Sequence, residues 1–149
     1  MRRQPSSKTS NDVAIDSRKY GERPYAVPAT TATPAFECRI NAEDSETFAA
    51  SPGRITEWDL PGGFGVRVDS HAGAGYCVPP YYDSMIAKLI VHGADREDAL
   101  ARMRLALSEM HVGGIQTNLK LHRRLVDDAG FRRGQVDIHH LERLLAGSA

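Results

Sequence analysis

Between residues 36 and 41 the side chains alternate. Phe36, Cys38 and Ile40 fall on one side, Glu37, Arg39 and Asn41 on the other. A period of two predicts a strand with one buried face. Pro52-Gly53 predicts a turn into a second strand over Arg54–Trp58, and Pro61-Gly62-Gly63 a turn into a third over Phe64–Asp69. The apolar run Asp83–His92 predicts a longer strand that ends at Gly93.

After Gly93 the spacing changes to three and four. Ala99, Met103, Ala106, Leu107 and Met110 form one stripe of a helix over Arg96–Met110, with Asp95 as its cap and Asp98 three residues on, close to a capping box. Thr117 is expected to cap a second helix carrying Leu121 and Leu125 and stopped by Gly130. Asp137 is expected to cap a third, with Ile138, Leu141, Leu144 and Leu145 as its apolar face. Strands first and helices last imply an α+β fold, an antiparallel sheet flanked by helices.

The first 35 residues follow no period. They are rich in Ser, Thr and Pro and carry six basic against three acidic residues, so they predict a disordered tail ahead of a domain over residues 36–146. The Arg and Ser content has a flavour of an organelle transit peptide, but the acidic residues and the lack of an amphipathic helix argue for a flexible leader.

The 149 residues have zero formal net charge, so no broad field attracts nucleic acid or an acidic membrane. No apolar run approaches the ~20 residues of a membrane-spanning helix. Two cysteines, Cys38 and Cys77, without a secretory signal predict reduced thiols and a cytoplasmic chain, or a mitochondrial-matrix one in a eukaryote.

Candidate chemistry is sparse. The glycine pieces Gly62–Gly65, Gly73–Gly75 and Gly113-Gly114 lack the Lys-Ser or Lys-Thr of a phosphate cradle, and tight turns account for them better. No two of the six histidines stand four apart and neither cysteine is in a CxxC, so no metal site is expected. Ser84 is expected to bond turn backbone, and Lys88 to reach the sheet edge or pair with a carboxylate. Arg39 offers a planar five-donor fork suited to carboxylate or phosphate oxygens. Pattern alone places it either in a cleft or, as the blander reading, in solvent beside Glu37 or Glu43.

The segments FECRINAED (36–44), SPGRITEWDLPGGFGVRVDS (51–70), AGYCVPPYYDSMIAKLIVHG (74–93) and GGIQTN (113–118) resemble the C-terminal domain of biotin carboxylases. These are the ATP-dependent parts of acetyl-, propionyl- and methylcrotonyl-CoA carboxylases and pyruvate carboxylase. The likeness runs from Phe36 to Leu145. Departures are mild: Ser45 stands where proline is usual, and Cys77 where a small polar residue is commoner.

The resemblance implies a family enzyme with an N-terminal lobe, a central ATP-grasp domain and this C-terminal domain. ATP with magnesium or manganese activates bicarbonate, and CO2 passes to biotin on a carrier protein. Arg39 occupies the family's active-site arginine position, near bicarbonate and the biotin ureido oxygen. Phe64 and Arg67 match a region used in family dimers, although Phe64 could equally fill the core. Nearly all the ATP and metal ligands belong to the central domain, which these residues do not contain. The expectation is therefore a chain that binds no cofactor alone and does not carboxylate biotin unaided. Its partner would be an ATP-grasp-containing carboxylase polypeptide; the alternative is a non-enzymatic module that pairs with intact carboxylase subunits or with itself.

Overall fold

A computed structural model describes residues 33–147. In order these form β1 (Ala35–Asn41), β2 (Gly53–Arg54), β3 (Glu57–Asp59), β4 (Val66–Ser70), β5 (Cys77–Val78), β6 (Met85–His92), α1 (Arg96–Glu109), β7 (His111–Gly113), α2 (Leu119–Asp127), α3 (Ala129–Arg133) and α4 (His140–Ala146). Strands β1, β6 and β4 make an antiparallel sheet in the order β1-β6-β4, and α1 packs on one face of it. This is the α+β arrangement that the sequence implies. Most of the expected tail lies outside the described residues. Its end is part of the fold: Ala35 opens β1, and the Pro34 carbonyl accepts from the Gly93 N–H at 3.1 Å. Among the described residues no helix is long and apolar enough to cross a membrane.

The alternation in β1 sorts the two sheet faces as expected. Cys38 and Ile40 are buried, while Glu37 and Arg39 face outward. Across the pair, Cys38 opposes Leu89 and Arg39 opposes Lys88. The register then slips, with Ile40 opposite Ala87 but Asn41 opposite Met85. The extra residue, Ile86, makes a β-bulge. Ile86 and Ala87 are consecutive in sequence and both buried, and Met85 is thereby turned to the face of Arg39.

Helix α1 buries Ala99, Met103, Ala106 and Leu107 against the sheet, as its stripe predicts, with Met110 buried at its C-cap. The Asp95 carboxylate accepts from the Asp98 N–H at 2.8 Å, a cap that contributes about 1 kcal/mol. Asp98 reaches one residue further back than a capping box requires, to the Ala94 N–H. Gly93 is needed where β6 meets the first turn of α1, because an added Cβ would lie 2.8 Å from the Ala99 Cα.

Several expectations are corrected. The strand over Arg54–Trp58 is two short ones, because the chain changes partners at Ile55-Thr56: β2 pairs with β5, and β3 with β7. Phe64 and Gly65 belong to the turn before β4 and not to the strand. Thr117 does not cap α2; its carbonyl accepts the Ser45 hydroxyl, and Asn118 takes the cap position with its side chain engaged elsewhere. Gly130 does not stop α2, which ends at Asp127. Asp128 instead caps the short α3, accepting from the Phe131 N–H at 2.7 Å. Asp137 serves the turn before α4, accepting from the His139 N–H, and Ile138 is exposed.

The core gathers Ile40, Ile55, Ile86, Leu89, Val91, Met103, Leu107 and Met110, each essentially excluded from solvent. Both cysteines are free thiols, Cys38 buried and Cys77 exposed. Burial, and secondarily Glu37, pushes the Cys38 thiol up to about 12, so it is un-ionised and inert near neutrality. Titration with a disulfide reagent at pH 8 is therefore expected to find one reactive thiol in the native protein and two in urea. Native reactivity of both would contradict this packing.

Candidate functional site around Arg39

Arg39 stands on the outward face of β1, an edge strand. Such a strand leaves alternate backbone groups unpaired, and buried ones need partners. Here those partners come from the start of α2. The Asn118 amide donates to the Arg39 carbonyl at 3.0 Å and accepts from the Asn41 N–H at 2.9 Å. His122 Nε2 lies 2.9 Å from the same Arg39 carbonyl. A carbonyl only accepts, so Nε2 carries the proton. Two side chains about 80 residues away in sequence thus pin the backbone that carries Arg39.

Desolvation holds the His122 imidazole below its ordinary range, partly opposed by its bond to the Arg39 carbonyl. The neutral ring is thereby the folded form near pH 7. In the unfolded chain the pKa is about 6.5, so below that value the unfolded state binds the extra proton first. Stability from this group is fully present above about pH 6.5 and is lost as pH falls toward the folded pKa. In urea titrations, the drop in midpoint between pH 7.5 and 5.5 is expected to be smaller in His122→Gln than in the parent protein. An equal drop would show that the ring is not desolvated.

The guanidinium itself is free to meet a ligand. Its side chain is 59% exposed, with Asp83 at 3.8 Å, a spacing typical of weak surface pairs. Its Nε donates to the Met85 sulfur at 3.3 Å, on the residue that the bulge turns outward. Asp83 is fixed in turn, accepting from the Met85 N–H at 3.1 Å. The Ser84 hydroxyl bonds the Glu43 carboxylate, which also accepts from the Asn41 amide at 3.2 Å. This ties the Asp83 turn to the end of β1. Asp83 and Met85 also line a pocket of about 380 Å³ with His71, Tyr76 and Tyr82.

The expected neighbours of Arg39 therefore need revision. Glu37 pairs with Lys88 at 3.8 Å and Glu43 with Ser84, so neither holds Arg39. Ser84 bonds a carboxylate and not turn backbone. Lys88 does pair with a carboxylate. Asp83, Asn118 and His122 went unrecognised in the sequence; the partners Asn118 and His122 come from long-range packing that no local spacing announces.

Phe64 is 84% exposed and does not fill the core. Its ring meets His92 edge-on at 6.0 Å and lies under the Arg102 guanidinium at 5.1 Å. Arg67 faces outward on β4 and forms a two-bond fork with Asp69, at 2.9 and 2.6 Å. Neither residue touches the Arg39 cluster. Among the described residues no three His, Cys, Asp or Glu side chains gather as a metal site.

Comparison with known proteins matches the family model "Biotin carboxylase C-terminal domain" to residues 37–143. The chain belongs to the biotin carboxylase C-terminal domain family. A biotin carboxylase of Pseudomonas aeruginosa is 60% identical over 111 residues, 74% of this chain and 25% of that protein. The crystal structure of a biotin carboxylase from Campylobacter jejuni in complex with β-γ-ATP superposes with a TM-score of 0.71 at 45% identity, over 73% of this chain and 24% of that one. The biotin carboxylase domain dimer of the Hydrogenobacter thermophilus 2-oxoglutarate carboxylase, in complex with MgADP, ADP and bicarbonate, gives 0.72 at 43% identity, over 74% and 25%. The chain thus spans about a quarter of the length of these biotin carboxylases.

Proposed function

We propose that the chain supplies the Arg39 wall of a biotin carboxylase active site and that these 149 residues do not turn over ATP by themselves. The observation that carries this is the exposed guanidinium on a strand whose backbone is pinned from behind by Asn118 and His122. One guanidinium flanked by one carboxylate fits a single small anion such as bicarbonate, or the polarised oxygen of a ureido group. It does not supply the several donors that a metal-bound triphosphate requires.

In the complete enzyme, ATP with magnesium or manganese supplies the activation of bicarbonate. Arg39 contributes a fixed positive charge aimed at the oxygen where negative charge grows as the biotin nitrogen becomes nucleophilic. Asp83 and Met85 limit the sweep of the side chain. Family membership and the likeness to bicarbonate- and nucleotide-bound relatives support this reading.

The test is reconstitution. The chain is mixed with a polypeptide carrying the N-terminal lobe and ATP-grasp domain of a biotin carboxylase, and bicarbonate-dependent ATP cleavage is measured with free biotin. A gain over that polypeptide alone is expected, with no turnover by the chain alone. No gain, or turnover without a partner, overturns the proposal.

The exposure of Phe64 favours a second reading, in which the chain pairs with intact carboxylase subunits through the Phe64 and Arg67 surface. Co-purification with such a subunit, abolished by Arg67→Glu, is what that reading requires.

A further inference from the structure

On the helical side of the molecule, α1 and α3 enclose an open groove of about 370 Å³ whose lining shares no residue with the Arg39 site. Its floor is apolar, made by Leu100, Ala101 and Ala129. Its walls carry four arginines: Arg96 and Arg104 from α1, Arg132 and Arg133 from α3. Glu97 is the one carboxylate among the lining residues. A chain with zero formal charge has concentrated cations around one apolar trough.

The four arginines do different work. Arg96 builds the groove. Its Nε and one terminal nitrogen donate to the Arg132 and Phe131 carbonyls at 3.0 and 2.5 Å, and its guanidinium sits over the Phe36 and Phe131 rings at 5.0 and 5.7 Å. This fixes α3 against α1 before any ligand arrives. Arg104 is paired with Asp127 at 2.7 Å. Arg133 bonds the neutral Gln135 at 3.1 Å, and among the described residues neither Arg132 nor Arg133 has an ion pair. Both are exposed, on the same wall.

We infer that this groove docks an acidic segment of a partner polypeptide, with an apolar side chain on the floor and carboxylates along the arginine walls. The geometry favours a peptide over a small phosphate. Arg96 has spent donors on carbonyls and Arg104 is held by Asp127, which leaves Arg132 and Arg133 on α3 beside the apolar lining, and a phosphate gains nothing from that lining. An apolar floor inside a charged rim is also how peptide-docking grooves are built. The inference stands apart from the Arg39 reading, so failed reconstitution leaves it intact.

The test uses the whole chain and a fluorescein-labelled peptide, Glu-Asp-Leu-Glu-Asp-Leu-Glu-Asp, followed by fluorescence anisotropy. Saturable binding is expected, weakened about tenfold by Arg132→Glu with Arg133→Glu, with circular dichroism confirming the fold. Glu97→Gln, which removes the opposing charge, is expected to tighten binding about twofold. No binding to the parent chain overturns the inference. So does equal binding by the double variant, or by a peptide with serine for leucine. Displacement by sub-millimolar inorganic phosphate would reassign the groove to small anions and equally overturn it.

Discussion

Arg39→Met is expected to lower biotin carboxylation in the reconstituted enzyme by about 10²–10³-fold, the usual cost of removing a preorganised donor from developing negative charge. The fold is expected to survive. The side chain is more than half exposed, and its ion pair to Asp83, at 3.8 Å, is a weak one. The backbone contacts that matter locally use the Arg39 carbonyl, which the substitution keeps. Arg39→Lys retains the charge but loses the planar fork, and an intermediate loss of about tenfold is expected. The rate of bicarbonate-dependent ATP cleavage with free biotin, beside an unchanged urea midpoint, checks both. A full rate in Arg39→Met would remove this residue from the chemistry.

Leu89→Ala is expected to destabilise the domain by about 3 kcal/mol. Leu89 is fully buried at the centre of β6, opposite Cys38 on one side and Val68 on the other. Truncation leaves a cavity between two strands and α1, and a central strand closes such a gap poorly. With an m-value of about 1–2 kcal/mol/M, the urea midpoint should fall by roughly 2 M. Leu105→Ala, on the exposed side of α1, is the control and is expected to change stability by less than about 0.5 kcal/mol. Similar shifts for the two would mean that the core is not centred on β6.

Elements that bury one face were legible in the sequence because period and burial coincide. The alternation of Phe36–Asn41 and the stripe from Ala99 to Met110 both predicted the faces that the structure shows. The Asp95 cap was legible for the same local reason. Elements whose partners are distant were not. His111–Gly113 pairs with Glu57–Asp59 across more than 50 residues, and its Gly113, followed by Gly114, read as a turn. Asn118 sits where a cap belongs but spends its amide on β1, so local chemistry pointed to Thr117 instead. Asp137 was misread as a cap because it serves the turn one step earlier. Arg39 stood out in the sequence as a planar fork suited to anionic oxygens, and the role proposed for it came through family resemblance. What fixes it comes from the bulge and from α2, and both are tertiary.

The bulge at Ile86 has a consequence for what the chain tolerates. Around residues 44–51 the loop can absorb a gained or lost residue as a longer or shorter excursion. Between Ser84 and Ala87 the count is tied to the sheet: losing Ile86 would restore plain alternation and keep Met85 opposite Asn41, but would take a buried side chain out of the core. Gaining a residue there would carry Met85 out of register with Asn41, and Arg39 would lose its neighbour without any change to Arg39 itself. At this one place the number of residues matters as much as their identity.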